Sequence, residues 1–180
     1  MTASTYRIDP AASRLRIWTR AEGALSRFAH DLEIATSSLR GEAVLDGDFW
    51  AADIVVPVVS LRVAGTLKGE AVQPDGLSAG DRADVEHKIR EQVLAGTSDV
   101  RVRAEGSNRE MAELTISVAT GSCRIRAPLR TSPSEPGLTV RGRVDLSLKS
   151  LGVREVKGPL GVFRMKDRVE VLYDITLRPS

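Results

Sequence analysis

Apolar and polar residues alternate with a period of two along most of this chain, and one segment alone breaks into helical spacing. Leu15 and Ile17 oppose Arg14, Arg16 and Trp18. Phe28, His30, Leu32 and Ile34 oppose Arg27, Ala29, Asp31 and Glu33. Further runs place Val100, Val102 and Ala104, then Leu114, Ile116 and Val118, then Cys123, Ile125, Ala127 and Leu129 on one face. The last two give Leu138, Val140, Val144 and Leu146, then Val169, Val171, Tyr173, Ile175 and Leu177. Successive side chains of a strand point to opposite faces, so each run reads as a strand with one buried side. Alternation this clean implies antiparallel pairing with a solvated outer face rather than a parallel sheet covered by helices. Asp46-Gly47-Asp48, Thr120-Gly121-Ser122 and the Ser132–Gly137 stretch carry turn chemistry between runs. The helical segment spans 81–95, where Val85, Ile89 and Val93 recur every four residues, Gly96 stops it and Ser78 stands at N-cap distance from Asp81.

Many antiparallel strands and one amphipathic helix within 180 residues predict a single domain, 1–180, built as a closed barrel or a sandwich. The chain holds only seven aromatic residues (two Trp, two Tyr and three Phe), so the inward rows are mid-sized aliphatics. An eight-stranded barrel encloses a space that side chains can fill or that can hold one small ligand, and a lining of this kind favours the ligand. A single cysteine, Cys123, excludes an intrachain disulfide and a cysteine-based zinc site. With only His30 and His87 as histidines, neither a metal nor another cofactor is expected. No stretch approaches the ~20 apolar residues of a membrane span. The first ten residues lack a charged and then apolar leader, which gives the expectation of a cytoplasmic protein without stable membrane insertion.

Three stretches together resemble the YceI-like family of lipid- and polyisoprenoid-binding barrels. They are Tyr6-Arg7-Ile8-Asp9-Pro10-Ala11-Ala12-Ser13-Arg14-Leu15, Phe28-Ala29-His30-Asp31-Leu32, and Leu151-Gly152-Val153 followed by the run from Gly158 through Lys166-Asp167-Arg168-Val169. Their order and spacing fit over essentially the whole chain. The resemblance implies an all-β, antiparallel, eight-stranded lipocalin-like barrel with one amphipathic helix, commonly dimeric, enclosing a long apolar ligand. The helix exit, Val93 to Asp99, and the turn at Gly121 and Ser122 depart from the family pattern, which bears on the ligand more than on the fold.

No nucleophile elbow, dinucleotide fingerprint or phosphate loop is present, and Cys123 alternates with aliphatics as a packed residue does. The chain therefore reads as a non-enzyme with no catalytic residues. Arginines recur on the outward faces at 14, 16, 101, 103, 124, 126, 141 and 143. A nucleic-acid surface would interleave aromatics, and only Trp18 is offered. With 26 basic and 24 acidic residues, cross-strand pairing is the expected use of these arginines, and no nucleic acid is expected as partner. The expected partner is an isoprenoid or fatty acid held by Leu15, Ile17, Phe28, His30, Leu32, Val102, Ile116, Ile125, Val144, Phe163, Val171 and Tyr173. By parity His30 points inward, where its polar tip would orient a head group. Phe28 and Phe163 are placed at the mouth or wall. The competing readings are a solidly packed barrel acting as an interaction scaffold and a basic nucleic-acid binder. An isologous homodimer is also expected.

Overall fold

A computed structural model describes residues 3–23, 29–157 and 164–180. Among the described residues, fifteen strand segments account for more than half. They are β1 (Ser4–Ile8), β2 (Arg14–Thr19), β3 (Ala21–Glu22), β4 (Leu32–Thr36), β5 (Arg40–Asp46), β6 (Phe49–Pro57), β7 (Arg62–Lys68) and β8 (Ala71–Gln73). After the helix come β9 (Asp99–Gly106), β10 (Met111–Val118), β11 (Gly121–Pro128), β12 (Arg130–Ser134), β13 (Gly137–Ser147), β14 (Arg164–Met165) and β15 (Arg168–Pro179). Thirteen of them form one sheet whose ladder path runs β11-β10-β9-β6-β5-β1-β15-β2-β4-β7-β8, with β13 on the other side of β15 and β12 on β13; β3 and β14 form a separate pair. Every ladder is antiparallel, as the alternation predicts.

Three pairs of consecutive strands, β1 with β2, β4 with β5 and β6 with β7, are separated only by short bends. β15 pairs with β1 at its end and β2 at its start, β5 lies between β1 and β6, and β4 lies between β2 and β7. The bends are fastened to one another by short polar side chains. Asp9 caps the turn at Pro10–Ala12, and Ser13 Oγ donates to the Asp9 carbonyl at 2.6 Å while accepting from Thr176 N at 3.0 Å. The Thr36 and Ser60 hydroxyls share a 2.8 Å bond that ties the β4–β5 bend to the β6–β7 bend. Buried backbone groups at a break in a strand need partners, and these hydroxyls supply them.

The β4–β7 register shifts between Glu33 and Ile34, leaving backbone groups at the irregularity unpaired by the ladder. Helix α1 (Ala79–Lys88) satisfies them: Val63 N donates to Glu86 Oε1 at 3.0 Å, and Arg82 Nη1 donates to the Val63 carbonyl at 2.8 Å. Ser78 is the N-cap, accepting from Asp81 N at 3.1 Å. The helix expected over 81–95 is α-helical only to Lys88. Ile89–Val93 widens into a π-turn, with Leu94 N donating to Ile89 O at 2.8 Å, and Ile89 is buried there.

Of the run expected from Arg27, residues 27 and 28 lie outside the described residues, and β4 begins at Leu32. The Asp31 carbonyl still accepts from Leu67 N at 2.8 Å, while its carboxylate accepts from Ala21 N at 2.9 Å and Arg20 Nη1 at 3.1 Å. Strands β5, β6 and β7, absent from the alternating runs, supply much of the sheet. The core is divided. One buried cluster joins Ile8, Ile34, Leu39, Val56, Val58, Leu61, Val63 and Ile89 around the bends and helix, and a second joins Ile116, Leu146, Leu151, Val153 and Val169.

Candidate ligand cavity

Between the two clusters lies a cavity of about 590 Å³. Its wall takes Leu15 and Ile17 from β2, Ile54 and Val56 from β6, Val102 and Ala104 from β9, and Leu114 and Ile116 from β10. Val140 and Val144 of β13 and Val169, Val171 and Ile175 of β15 complete it. From Val169 to Leu177 the wall follows β15 for about 26 Å at the usual strand rise, so the space is elongated.

The two ends differ. At one, Ile89 and Val93 of the π-turn, Leu148, Leu151, Met165 and Val169 line the cavity, and none of them is exposed. At the other, the lining residues Gly47, Asp48, Arg109, Thr131, Ser132 and Pro133 are all exposed. They belong to the β5–β6 turn, the β9–β10 turn and β12, which the antiparallel registers bring to the same edge of the sheet. This edge is the mouth.

No ladder joins β11 to β13 among the described residues, although the two strands lie side by side. Tyr173 spans that seam. In the inward row of β13, Gly142 is the missing side chain between Val140 and Val144, and its cross-strand partner is Tyr173. The Tyr173 ring lies over Gly142, and its hydroxyl donates to the Pro128 carbonyl at the end of β11. An aromatic ring laid over a cross-strand glycine restores packing that the glycine lacks. Burial pushes the Tyr173 phenol up to about 12.

Of the residues expected to hold a ligand, Leu15, Ile17, Val102, Ile116, Val144, Val171 and Tyr173 line the cavity. Leu32 and Ile125 do not. Leu32 pairs with Thr19 and Thr66 at the far end of β4, and Ile125 packs into the second cluster. Phe28 and Phe163 lie outside the described residues. His30 is exposed and outside the wall, because the chain is not yet in a strand at that point and parity does not govern its direction. Sequence reasoning missed the mouth. Its available signal was the Asp46-Gly47-Asp48 hairpin, which implies strands on both sides and so places Asp48 and Trp50 at an edge.

The outer face carries a different arrangement. Trp18 and Glu33, both nearly inaccessible at 3% and 1%, are joined by a 2.8 Å bond from the indole Nε1 to Glu33 Oε2. Arg14 donates to Glu33 Oε1 at 3.3 Å. The Arg20 and Arg143 guanidiniums lie 5.6 and 5.0 Å from the Trp18 ring, within cation–π range. Elsewhere Arg103 meets Asp53, Arg124 meets Glu113, Arg141 meets Asp174, and Arg143 meets Glu70 and Glu170. Arg16, Arg101 and Arg126 have no carboxylate within 4 Å among the described residues.

No group of three or more His, Cys, Asp or Glu side chains is placed to hold a metal among the described residues. No helix among them is long and apolar enough to cross a membrane.

No family model matches the sequence. No curated protein matches it either. Among solved structures, the fold is similar to the crystal structure of Burkholderia cenocepacia BcnA, with a TM-score of 0.63 over 94% of this chain and 98% of that one. Sequence identity is 10%, so the likeness concerns fold alone.

Proposed function

We propose that the chain binds an elongated apolar molecule, an isoprenoid or fatty-acyl chain, in this cavity without altering it chemically. The observation that carries the reading is a long aliphatic-walled space whose exposed lining residues, apart from Glu42 on β5, gather at one end. Enclosing methylenes contributes roughly 0.8 kcal/mol each before ordering costs, so a tail can bind tightly with few polar contacts. A filled scaffold would not leave 590 Å³ between its core clusters.

The same reading takes the fold as a YceI-type eight-stranded barrel. Counting each bent pair as one strand gives eight in ring order: β1/β2, β4/β5, β6/β7, β9, β10, β11, β13 and β15. Tyr173 then bridges the one seam without a ladder. A homodimer belongs to this reading and is tested by sedimentation.

The test is native mass spectrometry of the freshly purified protein with extraction of any bound lipid, followed by titration with fluorescent fatty acids and polyprenols. Ile17→Trp places an indole in the wall. It should abolish uptake and keep the fold, whereas in a filled core it would destabilise by about 1–3 kcal/mol. Lipid-free extracts together with no saturable binding refute the proposal.

A further inference from the structure

Given the apolar-ligand reading above, we propose that the ligand carries an anionic head group, a carboxylate in the simplest case, and that Arg109 at the mouth recognises it. The wall itself leaves the head no place inside. Among the described lining residues the deep end is apolar except for Thr19, and the Tyr173 hydroxyl is already given to Pro128. A charged head drawn into that interior would lose its hydration without a partner, so it stays at the mouth.

At the mouth, Arg109 is the one cation among the described lining residues. It has no carboxylate within 4 Å among the described residues, unlike the paired arginines of the outer face. Its loop is held in advance. Asn108 Oδ1 accepts from Glu110 N and Met111 N, each at 3.0 Å, and the Trp50 indole donates to the Asn108 carbonyl at 2.7 Å. The Trp50 ring also packs on Gly106, the partner of Trp50 across the β6–β9 ladder. The turn preceding Arg109 is thereby fixed by bonds that leave the guanidinium free. A planar guanidinium offers two parallel N–H donors, which suits a carboxylate.

The acidic lining residues are Asp48 and Glu42. Glu42 is taken by Arg7 at 3.1 Å. Asp48 follows Gly47, whose φ is 62°, in a two-residue hairpin, and turn chemistry accounts for an aspartate there. No turn requirement accounts for an arginine at 109.

The experiment measures binding of palmitate, hexadecanol and hexadecylamine to the full chain, and to its Arg109→Gln, Arg109→Lys and Asp48→Asn variants, by displacement of a fluorescent lipid probe. Palmitate should bind about tenfold tighter than hexadecanol, and Arg109→Gln should bring the two within about twofold. Arg109→Lys should keep part of the preference, and Asp48→Asn should strengthen palmitate binding. Equal binding of palmitate and hexadecanol, unchanged in Arg109→Gln, overturns the head-group assignment and leaves the cavity reading intact. Tightest binding of hexadecylamine, lost in Asp48→Asn, overturns it in favour of a cationic head. No saturable binding of the fluorescent probe, with none of the three ligands bound, overturns the apolar-ligand reading and this assignment with it.

Discussion

Gly142→Ala tests the contact that Tyr173 makes between β13 and β11. A Cβ at this position would overlap the Tyr173 ring and hydroxyl and the Pro128 carbonyl, and two of these three obstacles belong to a side chain that can swing away. The expected response is displacement of Tyr173 from the seam. Losing its hydrogen bond costs about 0.5–1.5 kcal/mol and losing the ring's packing a comparable amount, so at least about 2 kcal/mol once the Pro128 carbonyl has also to shift. For a domain of this size that is a fall of at least about 4–8 °C in Tm.

A second readout is specific to the mechanism. The buried phenol titrates at about 12, and once displaced into water it should titrate near the ordinary ~10. The chain has two tyrosines, so ultraviolet titration of Gly142→Ala, with Tyr173→Phe to subtract the other signal, isolates the change. The sign for stability follows. A phenol whose folded pKa is raised contributes fully below the unfolded value near 10, and that contribution is lost as pH rises towards 12. The wild-type protein should weaken over this alkaline window, and Gly142→Ala should weaken less. An unchanged titration with an unchanged Tm would show that Tyr173 does not hold β11 against β13 in this way.

Trp18→Phe deprives buried Glu33 of its indole donor and should cost about 2–3 kcal/mol in urea unfolding; adding Glu33→Gln should recover part of it, and strict additivity would deny the coupling. Asp167 accepts from Ser147 Oγ at 2.6 Å and Lys149 N at 2.7 Å, and the Ser147 bond chiefly holds its carboxyl below the usual range. Stability tied to it is present above the unfolded value near 4 and lost as pH falls through the depressed one, so Ser147→Ala should unfold at higher pH in an acid titration. Val63→Ala, in the packed cluster and away from the cavity, should cost about 2 kcal/mol, whereas Val171→Ala, facing existing space, should cost under about 1 kcal/mol and admit a bulkier ligand. Equal losses by thermal melts would deny the distinction.

The strand register of the second half was legible because its alternation is undisturbed: Leu138 to Leu146 and Val169 to Leu177 pair face to face as their parity requires. The first half was harder to read, for three local reasons. β6 reads Phe-Trp-Ala-Ala-Asp-Ile-Val-Val-Pro, where small residues and a run of valines blur the period. β7 carries an irregularity opposite Glu33, so one parity cannot describe its length. Around His30 the alternation misleads, because the chain enters β4 only at Leu32 and His30 is exposed outside any strand. The buried Glu33 defeats the rule that charged residues face water, since its partner is an indole on the neighbouring strand. The cavity wall could be read because it repeats with the strand; the mouth could not, because Arg109 and Asp48 sit in turns that have no period.

The divided core follows from the cavity. A β domain that keeps a space along its axis gives up packing between opposite walls, so burial has to be gathered elsewhere. Here one cluster forms where three strands bend together under the helix, and the other forms at the closed end, with Ile17 and Val100 packed against both. The outer face adds what the interior does not: the same β2 that gives Leu15 and Ile17 to the wall gives Trp18 to a buried contact with Glu33. Strands fastened from outside and at the ends can leave their inner rows unfilled. A ligand entering such a space gains contacts that no side chain has already taken, and that is why the aliphatic wall and the outward Trp18–Glu33 pair belong to one physical arrangement.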